Sequence, residues 1–254
     1  MIRQHDFNTR WWGAPAGIVD DAAFFSLPDA ARAQALAPFE WVEFKCRLKD
    51  SPPLARLRDA GFFQADTQVE FKIGLKSLSR SSSADALQVH SAASGAFPLE
   101  AADVQPFEHE RYQHLPGHEA GHANVRYVDW SRELIRDHPE TCLELSLEGR
   151  VQGWFLSRPA AGGLNLALSM LHRSAAISGF LLYERALRVY AEAGHRMGWA
   201  SFSVTNTAVL NIYARLGAQF IAPTGIWLWC AAPAGDHSLR RNGIMADREK
   251  PARE

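Results

Sequence analysis

Residues 163–220 read GLNLALSMLHRSAAISGFLLYERALRVYAEAGHRMGWASFSVTNTAVLNIYARLGAQF, and the fold turns on them. Leu164, Leu166, Leu168 and Met170 alternate with smaller or polar residues, the period-2 pattern of a strand with one buried face. Past His172 the side chains shrink: Arg173, Ser174, Ala175, Ala176, Ile177, Ser178 and Gly179 lead into Leu181, Leu182, Ala186, Leu187, Val189 and Tyr190 at helical spacing. A strand therefore passes into a helix through a turn with little side-chain bulk. The first amides of such a helix have no intrahelical acceptor and sit at the positive end of the macrodipole, so they attract an anion such as a pyrophosphate. The turn has neither Gly-Lys-Ser/Thr nor G-x-G-x-x-G, which excludes a nucleotide P-loop and a dinucleotide fingerprint.

After Gly194 and Gly198 a second strand is expected over Trp199 to Val204. Thr205 or Asn206 then starts a helix and Gly217 stops it. Asn206 and Tyr213 are seven apart, two turns, and share a face that can line a cleft. A further strand follows at Ile226 to Cys230. This succession resembles the GNAT family of acyl-coenzyme A dependent N-acetyltransferases. In that family an R/Q-x-x-G-x-G/A turn cradles the coenzyme A pyrophosphate, and a later helix with Asn and Tyr at this spacing lies beside the pantetheine arm. Here Arg173 to Ser178 matches the turn, with Ala176 and Ser178 where the family prefers Gly, and Asn206, Tyr213, Gly217 and Phe220 match the helix.

The resemblance implies an α/β protein of GNAT fold, with a mixed, mostly antiparallel central sheet flanked by helices and a smaller α/β lobe before it. It also implies acetyl-CoA as acyl donor and no metal. The donor is expected to lie against the backbone of Leu168, Met170 and Leu171, on Arg173, Ser174, Ala176, Ser178 and Gly179, and beside Asn206 and Tyr213.

The composition fits this reading. The chain has 254 residues, 47% of them hydrophobic, eight Trp and a formal charge of -1, a soluble globular composition without the basic excess of nucleic-acid binding. No apolar run approaches the roughly 20 residues that span a bilayer, and MIRQHDFNTRWW has no signal-peptide core. A cytoplasmic protein is expected, with neither nucleic acid nor membrane as partner. The three cysteines, Cys46, Cys142 and Cys230, are far apart and read as small hydrophobes.

Residues 1–80 read as the small lobe, with a strand from Trp41 to Leu48, a helix opened by Pro52 and Pro53 and closed by Gly61, and a strand from Gln68 to Leu75. The polar run Leu78 to Ala84 is the expected linker. Residues 84–234 form the acetyltransferase domain, beginning with a strand at Leu87 to Ser91. A helix start is expected at Pro98 to Asp103, a helix over Val125 to Ile135, and strands at Leu143 to Leu147 and Val151 to Leu156. The tail, residues 235–254, is charged and poor in apolar residues, which reads as disorder.

His118-Glu119-Ala120-Gly121-His122 matches HExxH, the zinc-peptidase pattern of two histidines on one helix face. Pro116, Gly117 and Gly121 oppose a helix there, by roughly 1 kcal/mol for each interior Gly relative to Ala. A polar loop at the acceptor cleft is the competing reading.

Within the GNAT family the segments WWGAPAGIVDD, APFEWVEFKCRL, LARLRDAGFFQADTQVEFKIGL and NTAVLNIYARLGAQF resemble the nucleotide-aminosugar N-acetyltransferases of TDP-fucosamine type. That resemblance implies an acceptor amine on a nucleotide-linked aminodeoxysugar, contacted by Arg111, Tyr112, Asn124 and Tyr127, with Arg111 or Arg126 on its diphosphate. It implies direct attack by a neutral amine in a ternary complex, Tyr213 as acid for the leaving thiolate, and Asp66 near the amine as base. His109, His114, His118 and His122 are alternative bases, better matched to the task by their ordinary pKa near 6.5. Two other outcomes stay open: a catalytically inert GNAT-like binding module, and a homodimer.

Overall fold

The alternation along residues 163–171 becomes a strand in which Leu164, Leu166, Leu168 and Met170 are buried on one face. The structure, a computed structural model, describes residues 1–76, 78 and 81–231. In chain order the elements are β1 (Ile2–Gln4), α1 (Asp6–Trp12), β2 (Ala16–Val19), α2 (Asp29–Leu36), β3 (Trp41–Arg47), α3 (Leu54–Asp59), β4 (Phe63–Gly74), α4 (Ser82–Asp85) and β5 (Gln88–Ser91). They continue with α5 (His122–Asp137), β6 (Cys142–Leu147), β7 (Arg150–Ala160), β8 (Gly163–Leu171), α6 (Gly179–Glu192), β9 (Met197–Ser203), α7 (Thr207–Arg215) and β10 (Gln219–Cys230). The expected tail, residues 235–254, lies outside the described residues.

All ten of these strands form one sheet in the order β1-β2-β3-β10-β4-β9-β8-β7-β6-β5. Only β2 with β3 and β8 with β9 run parallel, so the sheet is mixed and mostly antiparallel, as expected. β4 comes from the segment expected to belong to the small lobe, yet it lies between β9 and β10. Ser81, before α4, donates to the buried Glu184 carboxylate of α6 through its amide and its hydroxyl at 2.7 and 2.8 Å. α6 itself buries Leu182, Ala186, Leu187 and Tyr190 against Phe155 and Leu164, which fixes it on one face of the sheet.

Local chemistry sets the ends of α7. The Asn206 side chain accepts from the Val209 amide at 3.1 Å, an N-cap worth about 1 kcal/mol. Gly217 follows the helix at φ +82°, and the Ala218 amide folds back onto the Tyr213 carbonyl at 2.9 Å. β10 is longer than the expected Ile226 to Cys230, because its first half pairs with β4 across an irregularity between Phe220 and Ala222.

One expectation fails outright: Pro98 to Asp103 does not start a helix. Asp103 turns back on Glu100, Val104 makes a β-bridge to His172, and the Asn124 amide group donates to the carbonyls of Ala101 and Val104 at 3.4 and 3.3 Å. Tertiary partners hold these backbone groups and override the local preference.

Candidate functional site

β8 and β9 pair only at Leu164 with Gly198 and at Asn165 with Trp199, then diverge. Gly163 permits their contact, since a Cβ there would stand 2.2 Å from the Met197 carbonyl oxygen. Beyond Asn165 no strand among the described residues pairs with β8 on that side. Along β8 the backbone groups alternate between its edges. His172 donates to Gln152 on the β7 side at 2.9 Å, whereas the Leu171 carbonyl accepts from Gln105 on the other side at 3.1 Å. The same alternation turns the amides and carbonyls of Ala167 and Ser169 into the gap, and those of Leu168 and Met170 toward β7.

The gap opens into a cleft of about 710 Å³. Leu166 to Ser169 line it, together with Ser203 of β9, the α7 N-cap Asn206 and Tyr213 of α7, Phe107, Glu108 and His109 of the loop before α5, and Arg126, Tyr127 and Trp130 of α5. Asn206 and Tyr213 therefore share the cleft, as their spacing requires. Tyr213 is 4% exposed and packed among Phe71, Tyr183 and Phe202. Burial, with the neighbouring Tyr183 and Tyr190, pushes its phenol well above the ordinary value, so it is a neutral hydrogen-bond donor at the cleft. Tyr183, also in the cleft, is pushed up to about 12 by burial and hydrogen-bonds Ser169.

The start of α6 offers part of the expected anion cradle. Ser178 is its N-cap, with extended backbone and no side-chain cap, and the 14-residue helix begins at Gly179. A Cβ on Gly179 would press on Ile212 of α7 at 3.3 Å, so the helix start is held close to the cleft. Arg173 is exposed in the turn. Two of the expected amide donors are already engaged: that of Ser174 by His172 Nδ1 at 3.1 Å, and that of Ala176 by the buried Gln152 Oε1 at 2.8 Å. An acetyl-CoA pyrophosphate thus fits the amides at Ser178 and Gly179 with the Arg173 cation, and Ser174 and Ala176 serve to shape the turn.

The residues expected at the acceptor divide into two groups. Tyr127 lines the cleft, stacked on Phe107 at 4.0 Å, with its hydroxyl on the Glu110 carboxylate. Arg111 also reaches the cleft, but its guanidinium is committed to Glu43 at 2.7 Å and to the Tyr112 hydroxyl at 2.9 Å. Burial raises the Glu43 carboxyl, yet the Arg111 charge and the hydrogen bonds from Arg111 and Tyr112 overcome it and hold the group below the usual carboxylate range. Tyr112 is fully buried under this pair, its phenol pushed up to about 12 by burial, and Asn124 pins residues 101–107; neither faces the cleft.

Arg126 differs. It is 8% exposed, lies over the rings of Phe7, Trp11, Tyr112 and Tyr127, and donates from Nε to Asn8 at 3.2 Å. No carboxylate comes within ion-pair distance among the described residues, and the guanidinium lines the cleft. The Coulomb attraction of the aromatic faces, about 0.5–2 kcal/mol each, holds the cation without neutralising it.

Asp66 lies in β4, paired with Ile226, and faces a smaller pocket of about 280 Å³ beside the main cleft. His109 lines both cavities. The HExxH histidines do not share a helix face: Gly117 and Gly121 have φ of +84° and +87°, and α5 begins only at His122. Their rings are 5.7 Å apart, that of His122 packs against Trp11 and Trp12, and no group of three metal-ligating side chains occurs among the described residues. Among those residues no helix is long and apolar enough to cross a membrane.

No family model and no curated protein sequence matches the chain. Solved structures do. The chain superimposes on a GCN5-related N-acetyltransferase from Sphaerobacter thermophilus over 91% of its own length and 76% of the other, with a TM-score of 0.56 and 14% identity. It is similar to a tandem GNAT protein from the clavulanic acid biosynthesis pathway over 87% and 77%, with a TM-score of 0.52 and 14% identity. It is similar as well to the GCN5-related glucosamine N-acetyltransferase region of a fungal multi-domain GH3 beta-N-acetylglucosaminidase, over 85% of this chain and 30% of that one, with a TM-score of 0.55 and 8% identity. Likeness at these identities speaks to architecture, and it closes the question of architecture: this chain has the fold of the GCN5-related N-acetyltransferases.

Proposed function

We propose that the protein is an acyl-coenzyme A dependent N-acetyltransferase acting on a primary amine of a small molecule. The parting of β8 and β9 carries this reading, because it leaves strand-edge amides of Ala167 and Ser169 bare inside a cleft that also holds Tyr213. Bare amides at that edge can hold the thioester carbonyl and its developing oxyanion. The α6 N-terminus and Arg173 take the pyrophosphate at the other end of the donor.

The reaction is a direct transfer. The ammonium loses one proton to a base, and the neutral nitrogen attacks the thioester carbonyl to form the C–N bond. As the tetrahedral intermediate collapses the C–S bond breaks. Tyr213 gives its phenol proton to the sulfur and regains one from the nitrogen, so amide, free thiol and one released proton balance the equation.

For the acceptor we read an amine that carries an anionic group, as a nucleotide-linked aminodeoxysugar does. Arg126 supports this, as a buried guanidinium at the cleft with no carboxylate within ion-pair distance among the described residues, and it takes the role first open to both Arg111 and Arg126. The test is release of free thiol from acetyl-CoA in the presence of a panel of primary amines that includes nucleotide-linked amino sugars. Turnover with an anion-bearing amine is the expected result. Acetyl-CoA binding with no turnover on any amine would leave an inert module of the same fold.

A further inference from the structure

Four side chains from three parts of the chain join the small pocket to the cleft. Ser203 Oγ donates to Asp66 Oδ1 at 2.7 Å, Ser203 Oγ and Thr205 Oγ1 are 2.8 Å apart, and Thr205 Oγ1 lies 3.1 Å from His109 Nδ1. The direction of each bond follows from the donors available. A carboxylate only accepts, so the Ser203 hydroxyl proton goes to Asp66. Ser203 Oγ must then accept from Thr205, and it does so twice, from the hydroxyl and from the Thr205 amide at 3.3 Å. With its own proton spent on Ser203, Thr205 Oγ1 can only accept from the imidazole. His109 Nδ1 is therefore the protonated nitrogen, and Nε2, on the other side of the ring, keeps its lone pair.

We infer that His109 is the base that deprotonates the acceptor ammonium, and that Thr205, Ser203 and Asp66 are positioning residues that fix its tautomer. The inference rests on the acetyltransferase reading. His109 stands where the two cavities meet, and its Nε2 takes the ammonium proton. The imidazolium that forms keeps its Nδ1–H on Thr205, and the hydroxyl chain ends on the Asp66 carboxylate, which opposes the new positive charge. Asp66 acts through this chain without touching the amine, and the base alternatives Asp66 and His109 become two ends of one device.

The test has an arm that needs no substrate. Long-range ¹H–¹⁵N spectra of the labelled full chain, with His109 assigned through His109→Gln, report which nitrogen of the neutral ring bears the proton. The Nδ1–H form, less favoured in free histidine, is expected in the wild type. Thr205→Val, at an exposed position, should return the ring toward Nε2–H, and Asp66→Asn should do so in part. A wild-type ring that is mainly Nε2–H, or one unmoved by Thr205→Val, overturns the chain. In thiol-release assays His109→Gln is expected to lower kcat about 100-fold, at the low end of general-base effects, and Thr205→Val, which only misplaces the ring, about 10-fold. An Nδ1–H ring with undiminished kcat in His109→Gln overturns the assignment as base. A wild type without any turnover overturns the acetyltransferase reading and the base with it, while the tautomer result still decides the hydrogen-bond chain.

Discussion

The ring of Tyr213 lies 4.0 Å, centroid to centroid, from that of Phe71, so α7 is anchored on β4 directly beside the gap between β8 and β9. Tyr183 and Phe202 complete the enclosure. Packing holds the ring, and the hydroxyl is left for the cleft. Tyr213→Phe should therefore keep its melting temperature and its affinity for acetyl-CoA, while kcat falls about 100-fold or more. Tyr213→Ala should lose about 3–5 kcal/mol of stability from the cavity it leaves. Thermal unfolding and single-turnover kinetics separate the two; an unchanged kcat in Tyr213→Phe would remove the phenol from the mechanism.

Arg126→Gln tests the acceptor class. A charge-assisted hydrogen bond to a guanidinium contributes about 1.5–3 kcal/mol, so KM for an amine bearing phosphate or carboxylate should rise about 10–100-fold. For a neutral amine of similar size KM should stay within about 2-fold. Equal changes for both would show that Arg126 only packs.

The Arg111–Glu43 pair predicts a pH-dependent stability. The folded-state pKa of Glu43 is depressed, so its contribution is fully present above the unfolded value near 4.3 and disappears as pH falls through the lower folded value. Glu43→Gln should flatten the stability profile in that acid window. At neutral pH it should cost about 1.5–3 kcal/mol, because the charge-assisted bond from Arg111 is lost while Glu110 still faces the guanidinium at 3.8 Å. Urea midpoints at pH 3, 5 and 7 would check this; parallel profiles for the two proteins would contradict it.

Gly163→Ala probes the junction at which the gap begins. A Cβ 2.2 Å from the Met197 carbonyl oxygen must force β8 and β9 apart. Stability should drop by about 1–3 kcal/mol, and acetyl-CoA affinity should fall with it. Chemical denaturation and titration of the ligand read the two effects.

The run from β8 to α7 was legible because its signals are local: leucines at period 2, an Asn cap, a Gly stop, and Asn206 and Tyr213 on one helix face. The place of β4 between β9 and β10 was not, since register between strands 120 or more residues apart leaves no local mark. The segment from Pro98 carries a helix-like start, but Asn124 and His172 claim its backbone. The same holds at the site. Arg111 has the chemistry of a phosphate ligand, and only the fold brings Glu43 to it from 68 positions away. Of Ser203 and Thr205, which connect Asp66 to His109, the sequence marked only Thr205, and that as a helix cap rather than a link in a hydrogen-bond chain.

The gap between β8 and β9 is the proposed seat of an acyl-coenzyme A. Isothermal titration of acetyl-CoA into the full chain tests it most directly. One saturable site per chain, with an affinity in the range of about 1 μM to 1 mM usual for enzyme substrates, is the predicted result; no saturable heat at millimolar acetyl-CoA would contradict the account.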